Sequence, residues 1–126
     1  MLYGKEYCQL TKTPAPENVN IIDILDRGLP LIVIDEIARM FDINKSQAST
    51  LIGVSIRTVQ TRKKEKLLKT LSLQESDNAL QIARLMNDAL EYFGSEQAVN
   101  HWLKTNNKGL GDKTPIEICN TGVGRE

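Results

Sequence analysis

A start–stop–start pattern of helix signals around Gly53 constrains this chain most. Asn44 can cap a helix over roughly Lys45 to Ile52, Gly53 tolerates left-handed backbone, and Ser55 can cap a second helix from Ile56 to about residue 65. A glycine there lets two short helices meet at a steep angle. Ala48 and Ser49 are small enough for close approach, and Ile52, Val54, Ile56 and Val59 can fill the junction. The pattern predicts a helix-turn-helix, in which the second helix presents its N-terminal residues to base edges in the major groove.

The remaining punctuation is also helical. Ile21, Ile24 and Leu25 recur at helical spacing, predicting a helix that starts near Glu17 and ends before Gly28. Pro30 suits a first turn, and Leu31, Ile34, Ile37, Ala38 and Phe41 continue the period. The β-branched start of that segment could form a strand, but the sequence offers it no second strand to pair with. Ser72-Leu73-Gln74-Glu75 is a capping box opening a long helix to Phe93, with Gly94 ending it. Ala79, Ala83, Met86, Leu90 and Phe93 share one face of it. Ser95 can cap a helix whose stripe is Ala98, Val99, Trp102 and Leu103. Thr114-Pro115-Ile116-Glu117 is a second capping box, after a Gly/Asn-rich loop at 106–113 and before a short last helix. Residues 1–16, with Thr13-Pro14-Ala15-Pro16, read as a flexible arm. The expected fold is all-α: an arm at 1–16, a helix-turn-helix half at 17–70 and a small helical half at 71–126.

Charge agrees with this division. The formal net charge is zero, yet residues 55–70 carry six bases (Arg57, Arg62, Lys63, Lys64, Lys66, Lys69) and one acid, between two mildly acidic segments. A basic block on the second helix of a helix-turn-helix is a phosphate-contacting surface. Ser55, Arg57, Thr58, Gln60, Thr61, Arg62, Lys63 and Lys64 are therefore the expected DNA contacts. Arginine can engage guanine bidentately, glutamine adenine, and threonine a base or a phosphate, while Lys63, Lys64 and Lys66 set register on the backbone. Arg62 is a misfit, because that position is usually apolar in such units.

The same residues carry a family resemblance. Gly53-Val54-Ser55-Ile56-Arg57-Thr58, Arg62-Lys63-Lys64, Leu71-Ser72 and Glu75-Ser76-Asp77, followed by Phe93-Gly94, Ala98, Trp102-Leu103, Leu110-Gly111 and Thr114-Pro115, resemble the Xre/MbcA/ParS-type antitoxins over about residues 28–122. The resemblance implies a type II antitoxin that binds a RES-domain, NAD-consuming toxin, holds it inactive and represses its own operon. Asn106 and Asp112 depart from the family's proline and glycine. Family members usually continue past Thr121-Gly122 through another toxin-contacting helix, whereas this sequence stops at Glu126, as a truncated form or one that neutralises with less surface. The expected toxin contacts are Leu110, Lys113, Thr114, Thr121, Gly122 and Arg125, on a polar tail that a partner would order.

Other functions find little support. The only histidine, His101, has no partner for acid–base or metal chemistry, and reads as a surface or half-buried structural residue. Glu75 and Glu117 are accounted for by capping, and Asp77 and Asp88 do not suggest a carboxylate pair. Neither a P-loop, a GxGxxG nor an HExxH occurs. No enzyme, metal or cofactor is expected. Cys8 and Cys119 read as inert thiols, and the short apolar runs suggest neither a membrane span nor a signal peptide, so the cytoplasm is expected. Trp102 reads as a core anchor more than an interface hot spot. Leu80, Ile82 and Leu85 exceed one helical stripe and suggest a homodimer. The rival reading is a plain DNA-binding regulator whose second half only dimerises.

Overall fold

The computed structural model describes residues 3–13, 20–65, 69–105 and 114. Among them are seven helices: α1 (Gly4–Thr11), α2 (Ile21–Arg27), α3 (Val33–Phe41), α4 (Lys45–Ile52), α5 (Ile56–Lys64), α6 (Leu73–Phe93) and α7 (Glu96–Leu103). The all-α expectation holds. The chain forms two compact units that part between Arg84 and Leu85. Among the described residues, no helix is long and apolar enough to cross a membrane.

Local hydrogen bonds set most helix ends. Asn44 accepts from the Gln47 amide at 2.8 Å, and Gln47 returns a bond from the Asn44 amide at 3.1 Å, a reciprocal box that starts α4. Ser55 and Ser95 cap α5 and α7 by accepting from the Thr58 and Ala98 amides, each at 3.1 Å. Gly53 takes φ 93° and ψ 24°, the left-handed residue that ends α4.

In the first unit α3 packs on α4, α4 on α5, and α1 on α3. Leu29, Val33, Ile37, Met40, Ala48, Ile52, Val59, Ala79 and Leu80 are all buried. Burial of each large aliphatic side chain contributes about 1.5–3 kcal/mol. Ser76 is buried too, and its hydroxyl accepts from the Leu29 amide at 2.9 Å.

Four expectations are corrected. The arm is not loose over its described part, because Gly4–Thr11 is helical with Leu10 buried, Lys12 paired to Glu36 at 3.0 Å and the Arg84 guanidinium 5.7 Å from the Tyr3 ring centre. Those contacts are tertiary, so no local period announces them. The segment at Pro30 does find an extended partner: Pro30 and Thr70 form an antiparallel bridge, with Leu71 donating to the Leu29 carbonyl at 2.8 Å, and α3 begins only at Val33. Leu80 and Ile82 are buried within the protomer, which leaves only Leu85 of that trio exposed. Trp102 is 39% exposed, so it is no core anchor; Val99 and Leu103 bury that helix instead. The loop at 106–113, Cys119, the second capping box beyond Thr114 and the last helix lie outside the described residues.

Candidate functional site

The candidate interface is the outer face of α5. Val59 is buried and Ile56 half-buried, which turns the opposite side of the helix outward. Arg57, Gln60, Thr61, Lys63 and Lys64 are exposed there, and Ser55 is exposed at the N-terminus. Thr58 is half-buried, with its hydroxyl 2.9 Å from that of Ser55. The Thr61 hydroxyl donates to the Arg57 carbonyl at 3.0 Å, which leaves its oxygen lone pairs outward. Arginine, glutamine and lysine on one face supply donors for guanine, adenine and phosphate. The helix's last turn carries Arg62, Lys63 and Lys64, and cations there also complement the negative end of the helix dipole.

Arg62 departs from the expected role. Its side chain is 21% exposed and turns away from the open face to Glu75, which is 13% exposed. Nη1 donates to Oε1 at 2.5 Å and Nη2 to Oε2 at 3.3 Å. The bidentate pair fastens the last turn of α5 to the first turn of α6. It also explains a charged residue at a usually apolar position: the guanidinium is inward because a carboxylate meets it. Lys66 lies outside the described residues.

Glu75 is correspondingly more than a cap. It accepts from the Ser72 amide at 2.8 Å while its own amide donates to the Ser72 hydroxyl at 3.2 Å. Burial pushes its carboxyl up, but the Arg62 guanidinium and the Ser72 donors outweigh this and hold it below the ordinary glutamate value. One turn later the Asn78 amide group donates to the Ile52 carbonyl at 2.7 Å, so α6 also secures the end of α4. Sequence inspection missed both anchors, for their partners stand 13 and 26 positions away.

Of the expected toxin contacts, only Thr114 is described, and it is half-buried. Leu110, Lys113, Thr121, Gly122 and Arg125 lie outside the described residues. His101 is exposed. Among the described residues, no group of three or more histidine, cysteine, aspartate or glutamate side chains could hold a metal ion.

Comparison with known proteins assigns both halves. The family model of the antitoxin Xre-like helix-turn-helix domain matches residues 21–84, half of the chain. The chain belongs to the Xre-like antitoxin family. The model of the antitoxin Xre/MbcA/ParS C-terminal toxin-binding domain matches residues 88–126. The chain is 27% identical over 112 residues to a protein named Antitoxin Xre from Photorhabdus laumondii, covering 88% of this chain and 74% of that one. It is 26% identical, with the same coverage, to an Antitoxin Xre from Yersinia enterocolitica. This antitoxin therefore joins an Xre-type helix-turn-helix to a toxin-binding domain.

Proposed function

We propose that this antitoxin binds and neutralises a RES-domain, NAD-consuming toxin in the cytoplasm and represses its own operon through α5. The observation that carries this reading is an exposed basic helix face, followed in the same chain by a domain of the toxin-binding family. Ser55, Arg57, Thr58, Gln60, Thr61, Lys63 and Lys64 contact operator DNA; Arg62 holds α5 in place. Leu110, Lys113, Thr114, Thr121, Gly122 and Arg125 contact the toxin. The protein acts by binding, without catalysis or cofactor.

Two-fold operators favour a homodimer, since helix-turn-helix proteins commonly read paired half-sites. With Leu80 and Ile82 buried in the protomer, the dimer rests on that symmetry argument.

The test is co-expression with a tagged RES-domain protein from the adjoining reading frame. Growth should recover, the pair should co-purify, and the complex should bind DNA upstream of its own gene. Deleting residues 116–126 should leave DNA binding intact and weaken neutralisation. Operator binding without any toxin capture would favour the plain regulator whose second half only dimerises.

A further inference from the structure

Glu75 and Asn78 stand three positions apart on α6, and so on one face of it. Between them they hold α5 from both ends. Glu75 pairs with Arg62 in the last turn of α5, next to Lys63 and Lys64. Asn78 reaches the turn that leads into α5. Within that turn the Gly53 amide donates to the Thr50 carbonyl at 3.1 Å and the Val54 amide to the Ser49 carbonyl at 3.0 Å, the paired bonds of a left-handed helix stop. The Ile52 carbonyl receives the Asn78 amide group, at 2.7 Å. Gln74 fixes which end of that amide faces the turn, because its Nε2 donates to Asn78 Oδ1 at 3.2 Å. The approach is close: a Cβ on Gly53 would meet Asn78 Nδ2 at 3.4 Å. All of these residues lie in the first unit.

Burial alone does not set the angle of a helix. Val59 is the buried side chain of α5, and apolar burial is non-directional. It sets how deep the helix sits and leaves its tilt to directional bonds. Held by Glu75 alone, α5 pivots about its last turn. Arg57 stands five residues before Arg62, about 7.5 Å along the axis, so a tilt of about 10° moves it by about 1.3 Å. A hydrogen bond tolerates only about 0.5 Å, so a bidentate contact to guanine does not survive that shift. A lysine contact to phosphate does, because the ammonium rides on a flexible stem.

We infer that Asn78 is a positioning residue for base readout: by holding the Ile52 carbonyl from α6, it sets the angle at which α5 enters the major groove, and so governs operator specificity without touching DNA. The inference rests on the proposed operator binding through α5. It places a determinant of specificity outside the helix-turn-helix, and leaves general affinity for DNA to Lys63 and Lys64.

The experiment measures, for the full chain, the ratio of its affinities for the duplex upstream of its own gene and for a scrambled duplex of equal length and composition. Asn78→Ala should lower that ratio about tenfold, the loss of one good base contact, while affinity for the scrambled duplex and its salt slope stay as in the wild type. Asn78→Leu, which keeps the bulk and removes the donor, should do the same. Gln74 is exposed, so Gln74→Ala should keep the fold and lower the ratio about threefold by releasing the Asn78 amide. A ratio that stays at the wild-type value in the folded Asn78 variants overturns the inference. So does a parallel loss on both duplexes, which is what lower stability alone would give. If neither Asn78 variant folds, an unchanged ratio in Gln74→Ala overturns it. A wild-type chain with no preference for the upstream duplex overturns operator reading through α5 itself, and not merely the role of Asn78.

Discussion

Arg62 and Glu75 face each other as a bidentate ion pair, 2.5 Å between Nη1 and Oε1, at the junction of α5 and α6. The pair joins the helix proposed to read DNA to a capping box, so a single carboxylate both caps the start of α6 and holds the last turn of α5. Removing Glu75 leaves the part-buried Arg62 guanidinium without its carboxylate, and removing Arg62 leaves the part-buried Glu75 carboxylate held by the Ser72 amide alone.

Arg62→Ala should therefore lower stability by about 1–3 kcal/mol in urea denaturation. Glu75→Gln keeps a side chain that can complete the capping box, so it isolates the charge. A double-mutant cycle between the two should give a coupling of about 1 kcal/mol. A coupling near zero would show that the pair contributes nothing to the fold.

Operator binding should separate Arg57 from Arg62. Arg57 is exposed and, among the described residues, pairs with no carboxylate, so Arg57→Ala should cost about 1–3 kcal/mol on the specific operator. Arg62→Ala should cost less than that once corrected for folded fraction. Lys63→Ala should weaken all sequences about equally and reduce the salt slope by about 1. Fluorescence anisotropy across a salt series measures all three.

Acid should destabilise the first unit through two glutamates. At Glu36 the Arg39 hydrogen bond, opposed by burial and joined by Lys12, holds the carboxyl below its ordinary value of 4.5. Glu75 is held below the same value. A carboxyl depressed in the folded state adds stability that is present above the unfolded value and is lost as pH falls through the folded one. Stability should decline below about pH 5, and Glu36→Gln and Glu75→Gln should each flatten that decline. Denaturation midpoints measured from about pH 6 to about pH 3 check the slopes.

Gly28 and Gly94 should respond differently to alanine. Both have positive φ, but a Cβ at Gly28 would stand 2.2 Å from the Leu71 carbonyl oxygen, whereas one at Gly94 meets nothing within 4 Å. Gly94→Ala should cost about 1–2 kcal/mol from backbone strain alone. Gly28→Ala should cost more, because the Leu29–Leu71 pairing must also move. Equal losses would argue that the bridge yields freely.

Most helix boundaries where a hydrogen bond closes within three or four residues were legible in the sequence, although α2 begins at Ile21 under an Asn20 cap rather than near Glu17. The Asn44–Gln47 box, the Ser55 and Ser95 caps, the Ser72–Glu75 box and the left-handed Gly53 all lie where the residue types place them. The exposed face of α5 was legible for the same reason, since buried Val59 fixes which side turns outward. Tertiary structure decided what long-range partners control. The helix at Gly4–Thr11 depends on burial of Leu10 and on Glu36, 24 positions from Lys12. The Pro30–Thr70 bridge and the inward turn of Arg62 depend on segments that meet only in the folded chain. Burial of Leu80 and exposure of Trp102 follow the same rule. A side chain's type specifies which bonds it can make, but which of them it makes depends on the group that packing brings within reach.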